Sequence, residues 1–181
     1  MNLTQAELLV QARIRGTRKA SAEPAYQHSL RVAQTLGRHG FAPDVVLAGM
    51  LHDIVEDGET TLLELESLGC NKNVLHLVDL ASHSLEYPAR TALEKDQRWA
   101  KMVQRLEQAA SPEAWAVKLA DLLDNLRGCR SLAPERQAVF LELKAPTYLR
   151  LTNSILGQHM LWREVLLEWA AFGEEKYRQL L

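Results

Sequence analysis

The chain has little cysteine, no long apolar run and no surplus of basic charge, and each lack excludes a class of protein. Its two cysteines, Cys70 and Cys129, share no short spacing, so they cannot build a zinc ribbon or a redox CxxC pair. Isolated thiols suit a reducing compartment, which makes a cytoplasmic location the expectation; a single disulfide is the other arrangement they allow. No stretch approaches the roughly 20 apolar residues that cross a bilayer. The N-terminal MNLTQAELLVQARIRG is amphipathic and carries an acid, unlike a signal peptide. A formal charge of −2 argues against broad nucleic-acid binding, which needs a basic face. Hairpin dipeptides, alternating runs, internal repeats and low-complexity tracts are missing too.

What remains is helical. With 181 residues, 47% hydrophobic and 24% charged, the chain suits one globular domain over residues 1–181 with a real core. Thr4 with Glu7 reads as a capping box for a first helix to about Arg15. A polar loop, GTRKASAE, follows, and Pro24 opens a second helix that Gly40 ends. A third is expected unbroken from about Pro43 to Gly58. Thr61 with Glu64 caps a short fourth. Helical spacing resumes through NVLHLVDLAS and again from about Arg90 to Ala110. Ser111-Pro112-Glu113 is a strong start signal for a helix to Gly128. Two more are expected over roughly 134–144 and 147–171, then a frayed end. The reading is a compact all-α, multi-helix bundle with a motif-bearing core over about 18–130 and C-terminal helices over about 134–181.

One segment stands out. AGMLHDIVEDGETTLLEL sets His52 beside Asp53 at the end of an apolar run, with Glu56 and Asp57 one turn later. Residues four apart share a helix face, so His52 and Asp53 can lean toward one ion with the two acids just beyond. An acidic last turn opposes the helix dipole, and a bound cation would offset that. On these residues alone a metal site and a solvated helix end are both open. Two further stretches bear on the choice. YQHSLRVAQTLG places His28 near the start of an amphipathic helix. AVKLADLLDNLRG sets Asp121 among leucines and alanines, where an aspartate is seldom buried unless paired or metal-bound; Lys118 and Arg127 are the candidate partners on its own helix.

The order H…HD…D on successive helices resembles the HD-domain superfamily of metal-dependent phosphohydrolases. AGMLHDIVEDGETTLLEL is similar to the ALLHDVVEDT..T.EE(I/L) segment of the RelA/SpoT-like alarmone hydrolases, VKLADLLDNLRG to their VKLADRLHNLRT, and EPAYQHSLRVAQTL to their EPYxxHPLxVAxIL. The three motifs span about residues 18 to 130. The resemblance implies an HD-domain bundle in which His28, His52, Asp53 and Asp121 hold one divalent ion. Manganese is implied ahead of iron, cobalt or nickel. Glu56 and Asp57 would orient or deprotonate the attacking water. Asn125 matches a nucleotide-contacting asparagine, and Lys118 would take a phosphate or structural role. Arg18 and Lys19 match a pair that packs against guanine, in a basic loop that also holds Arg13 and Arg15.

The implied enzyme is a small, stand-alone hydrolase of guanosine 3′,5′-bis(diphosphate), (p)ppGpp, cut at the 3′-pyrophosphate to give GDP or GTP plus pyrophosphate. The chain leaves no room for the synthetase domain of the long relatives, which predicts hydrolysis alone. The partner is then a small nucleotide, with no nucleic acid and no membrane, and the oligomeric state is left open. The alternatives are a phosphohydrolase of another nucleotide, of nucleotidase or NADPH 2′-phosphatase type, and a nucleotide-binding regulator whose chemistry has lapsed. Four departures bear on the substrate rather than the chemistry: Ser29 stands where proline is usual, Ala25 where tyrosine is usual, and Asp124 and Gly128 replace residues that shape the nucleotide pocket. His39, His76, His83 and His159 match no motif and are expected at the surface or in packing. The four tryptophans are expected in the core.

Overall fold

The computed structural model describes residues 1–18, 22–83 and 91–178. Among them there is no strand, only an isolated antiparallel bridge between Thr17 and Pro24 that closes the first loop. Helix α1, Leu3–Arg13, starts earlier than Thr4 would have it. Asn2 is the N-cap, and its side chain and that of Gln5 form a reciprocal capping box. Helix α2, Tyr26–Arg38, begins just after Pro24, which is held in the bridge. It ends as expected at Gly40, whose φ of 76° favours glycine, with the Phe41 amide donating back to Leu36.

The expected third helix is broken. Helix α3, Pro43–Leu51, stops before the His-Asp pair, and a single turn, α4, Ile54–Asp57, resumes after it. The His52 ring occupies a helix carbonyl, since its Nδ1 lies 2.8 Å from the Gly49 oxygen. Asp53 turns to φ −97°, ψ −4°. The freed His52 carbonyl accepts instead from Ser82 Oγ at 3.0 Å. A break that re-satisfies its backbone groups in this way is stable when buried.

Helix α5, Leu62–Ser67, carries the expected Thr61 cap, and α6, Lys72–Ala81, starts from Asn71. Arg90, the expected start of the next helix, lies outside the described residues; α7, Ala92–Ala109, is capped by Thr91 and Glu94. Helix α8, Pro112–Gly128, begins at the Ser111 cap as read. The C-terminal boundaries differ from expectation. Helix α9, Pro134–Ala138, continues through a π-helical stretch, Val139–Lys144, straight into α10, Ala145–Leu156. Pro146 has no N–H to give and crowds the carbonyl one turn back, and a widened turn absorbs both problems. The chain breaks after Leu156 instead, and α11 runs over Met160–Arg178, past the expected frayed end.

Helix α8 is the axis of the core. It packs against α2, α3, α6, α10 and α11 and buries Trp115, Leu119, Leu122, Leu123 and Leu126. Each such side chain contributes about 1.5–3 kcal/mol. Trp115 is in the core, and Trp99, Trp162 and Trp169 pack against it with their indole N–H groups bonded to Tyr148, Leu149 and Leu141. Both cysteines are free and buried. Among the described residues no helix is long and apolar enough to cross a membrane. A Cβ on Gly49 would strike Leu36 and Val32, so glycine there lets α3 lie close on α2 and brings His52 to His28.

Candidate metal centre

His28 stands on the first turn of α2, His52 and Asp53 at the α3–α4 break, and Asp121 in mid-α8. Ligand atoms of His28, His52 and Asp53 all lie within 4.8 Å of one another. Asp121 Oδ1 comes from the other side, 3.2 Å from His28 Nε2 and 3.9 Å from His52 Nε2. Asp53 approaches with one oxygen 3.1 Å from His52 Nε2 and the other 3.6 Å from His28 Nε2. The four side chains singled out in the sequence are therefore brought together.

The tautomer of His52 follows from its surroundings. A carbonyl only accepts, so the Nδ1 beside Gly49 carries hydrogen. Nε2 is buried and has no hydrogen-bond partner, since the Asp53 oxygen 3.1 Å away is out of line for one. In its neutral form the ring would aim this lone pair at two carboxylates, an arrangement that a proton or a metal ion relieves. Two imidazole nitrogens and two carboxylates suit a borderline divalent ion, so the residues present fit the group.

The electrostatics agree. Burial alone would raise the Asp53 pKa, but the facing charges of His52 and His28 hold it well below the usual range. Burial is likewise outweighed at Asp121, first by the Lys118 ammonium and then by the hydrogen bond from His28. Burial pulls His28 down, yet its hydrogen bonds to Asp121 and Asp124 carry its pKa to about 9. At neutral pH a proton therefore competes with a cation for that ring.

The flanking acids differ. Glu56 accepts from the His83 main-chain N–H and from its ring Nδ1, each at 2.8 Å. His83 is thus the partner of Glu56, where a surface or packing role was expected. Its contact joins residues 27 apart, which no helical spacing announces. Asp57 is pushed up to about 6 by burial, then by the charges of Asp53 and Glu56.

The expected substrate contacts are turned inward. Arg18 donates to Asp124 at 2.5 Å and to Asn125 at 2.7 Å. Asn125 donates to Asp121 Oδ1 at 2.6 Å. Lys118 is buried, its Nζ 2.6 Å from Asp121 Oδ2, whereas Arg127, the other candidate partner, pairs with Glu164. Lys19 lies outside the described residues. Arg13 pairs with Glu64, and with Arg15 and Asp57 it lines a cavity of about 520 Å³. A second cavity, of about 510 Å³, opens on the other side of Glu56 and His83 and is lined by Lys95, Arg98, Arg136 and Lys144. Arg98 Nε there is buried with no hydrogen-bond partner. These four cations come from α7 and from the segment after residue 134, and no motif in the sequence pointed to them.

The fold and site define a class. A family model described as an HD domain matches residues 6–154, and the chain belongs to the HD-domain family. The resemblance to RelA/SpoT proteins is also borne out. The chain is 32% identical over 168 residues to a probable GTP pyrophosphokinase of Mycobacterium leprae, covering 90% of this chain and 20% of that one. It is 27% identical over 177 residues to the bifunctional (p)ppGpp synthase/hydrolase SpoT of Escherichia coli K12, covering 97% of this chain and 25% of that one. It therefore spans a fifth to a quarter of the length of these curated relatives. Among solved structures, a metazoan ortholog of SpoT that hydrolyses ppGpp superposes with a TM-score of 0.71 at 21% identity, over 94% of this chain and 93% of that one, which supports the all-α HD bundle as the fold.

Proposed function

We propose that the chain hydrolyses guanosine 3′,5′-bis(diphosphate) and related (p)ppGpp alarmones at the 3′-pyrophosphate, giving GDP or GTP plus pyrophosphate. His28, His52, Asp53 and Asp121 would hold one divalent ion, manganese on the family's pattern. The observation that carries the reading is the buried, unpartnered His52 Nε2 aimed at carboxylates from two helices. The names of the relatives, (p)ppGpp synthase/hydrolase among them, support the substrate.

A divalent ion in this cluster supplies Lewis acidity, lowering the pKa of a water and stabilising charge on the phosphoryl group. The chain supplies the rest. Asp57, whose pKa near 6 suits a proton acceptor at neutral pH, takes the proton of the attacking water. Glu56, clamped by His83, orients that water. Lys95, Arg98, Arg136 and Lys144 gather phosphate charge in the cavity beside Glu56. Lys118 and Asn125 hold Asp121 in place.

The engagement of Arg18 with Asp124 and Asn125 favours a second reading, a nucleotide other than a guanine alarmone, because the arginine expected at the base is committed elsewhere. A substrate panel with manganese separates the two. Selective release of pyrophosphate from (p)ppGpp supports the first. Equal or faster turnover of simple 5′-nucleotides or of NADPH supports the second, and binding without turnover overturns both. Metal analysis of His52→Ala and Asp121→Ala tests the ligand set: full metal content in both would sink it.

A further inference from the structure

Asp124 has so far been given no role. The motif it sits in has histidine at that place, so the resemblance assigns this carboxylate nothing. It is nevertheless buried and gathers four hydrogen bonds. His28 Nδ1 donates to Oδ2 at 2.6 Å, Arg18 Nη1 to the same oxygen at 2.5 Å, and Arg31 to Oδ1 and Oδ2 at 2.5 and 3.2 Å. Arg31 is anchored in turn by both oxygens of Glu23, at 2.6 and 2.9 Å. The second arm of Arg18 reaches Asn125, which holds Asp121. Main-chain bonds fix Arg18 beside α2, since its own N–H donates to the Glu23 oxygen and the Ala25 N–H to the Gly16 oxygen, each at 3.0 Å.

We propose that Asp124 and Arg18 form an outer clasp that positions two of the four metal ligands, His28 and Asp121, and ties metal retention to the anchoring of Arg18. An acceptor on Nδ1 fixes His28 as the tautomer whose Nε2 lone pair faces the cluster and stops the ring from turning. The Arg18 fork does the equivalent for Asp121 through Asn125. Charge works in the same direction. With Asp124 removed, the Arg18 and Arg31 guanidiniums would lose the carboxylate they share beside His28, and their field would oppose a cation. With Arg18 removed, Asp124 still holds His28, and the site loses one positive neighbour, so the loss is smaller. Asp124 and Arg18 are positioning residues, since neither reaches the cluster's interior directly.

The inference rests on the metal site proposed above, and one titration separates their failures. Metal-stripped native protein, Asp124→Ala, Asp124→Asn, Arg18→Ala and the Arg18→Ala/Asp124→Ala double variant are titrated with Mn(II) alone, without nucleotide, and free Mn(II) is read by electron paramagnetic resonance. Circular dichroism of the metal-free forms confirms folding. Asp124→Ala is expected to weaken binding about 10–100-fold, Asp124→Asn less, and Arg18→Ala less than about tenfold. Because the two residues act as one unit, the double variant should bind no more weakly than Asp124→Ala. If native protein binds no Mn(II), the metal site itself fails. If it binds and Asp124→Ala matches it, the clasp is overturned; should that variant not fold, native-like binding by Asp124→Asn overturns it. Additive losses in the double variant overturn the coupling of Arg18 to Asp124.

Discussion

Glu56 and Asp57 adjoin in sequence but keep different company, and the difference sets their chemistry. Both oxygens of Glu56 are occupied by His83, whereas Asp57 is raised to about 6. Glu56→Gln and Asp57→Asn should each keep metal and slow a single turnover by at least about a hundredfold. In native enzyme the rate should fall as pH drops below 6, because Asp57 then carries the proton it is meant to accept. A nearby cation can only move that limb lower. Asp57→Asn should abolish the limb, and near-native rates in both variants would refute the catalytic role. His28 titrates with the opposite sign. With its pKa raised from 6.5 to about 9, the metal-free protein gains stability from the imidazolium below 6.5 and loses it as pH rises through 9. A cation must displace that proton, so Mn(II) affinity should rise about tenfold per pH unit between those limits, which titrations at pH 7 and 8 would measure. The proposed ligands could be singled out in the sequence because they sit in contiguous motifs. His83 and Asp124 could not, because their partners lie 27 and 96 residues away and only packing brings them together.

At the scale of elements, the interruption between α3 and α4 decides the site. Helical spacing placed His52 and Asp53 about 100° apart on one continuous rod; the break instead folds the Asp53 carboxylate back onto the His52 ring. Periodicity could not reveal this, because the hydrogen bond from Ser82 Oγ that compensates it comes from the end of α6. Caps at Thr61 and Ser111 were readable, since they act within one turn. The close approach of α2 and α3 makes a further prediction. Gly49→Ala forces a methyl into the buried Leu36 side chain, which should cost about 1–3 kcal/mol. For a chain of this size each kcal/mol lowers Tm by about 2–4 °C. Because the displaced helices carry His28 and His52, Mn(II) binding should weaken as well. A thermal scan and a metal titration on the same sample check both, and an unchanged Tm would show that the helices part without cost.

At the scale of the whole molecule, the all-α architecture was legible from apolar periodicity alone, because α2, α3, α6, α10 and α11 each bury a stripe against α8. The cationic cavity beside Glu56 was not, since its walls come from helices that carry no motif. The ligands are as scattered as those walls. His28 and Asp121 stand on helices far apart in the sequence, so the cluster does not exist until α2, α3 and α8 have docked. An ion held at the proposed site would therefore arrive last. It should leave the refolding rate nearly untouched and act on escape from the native state, since contacts absent from the transition state slow unfolding. At Mn(II) a hundredfold above Kd the gain is about 2.7 kcal/mol, or about a hundredfold in unfolding rate if all of it falls on that limb. Stopped-flow unfolding with and without Mn(II) reads this directly, and an equal shift in the refolding limb would mean that the ion is already gripped while the chain is folding. On this account the metal is a lock on the finished protein, and its lifetime in the cell follows the supply of the ion.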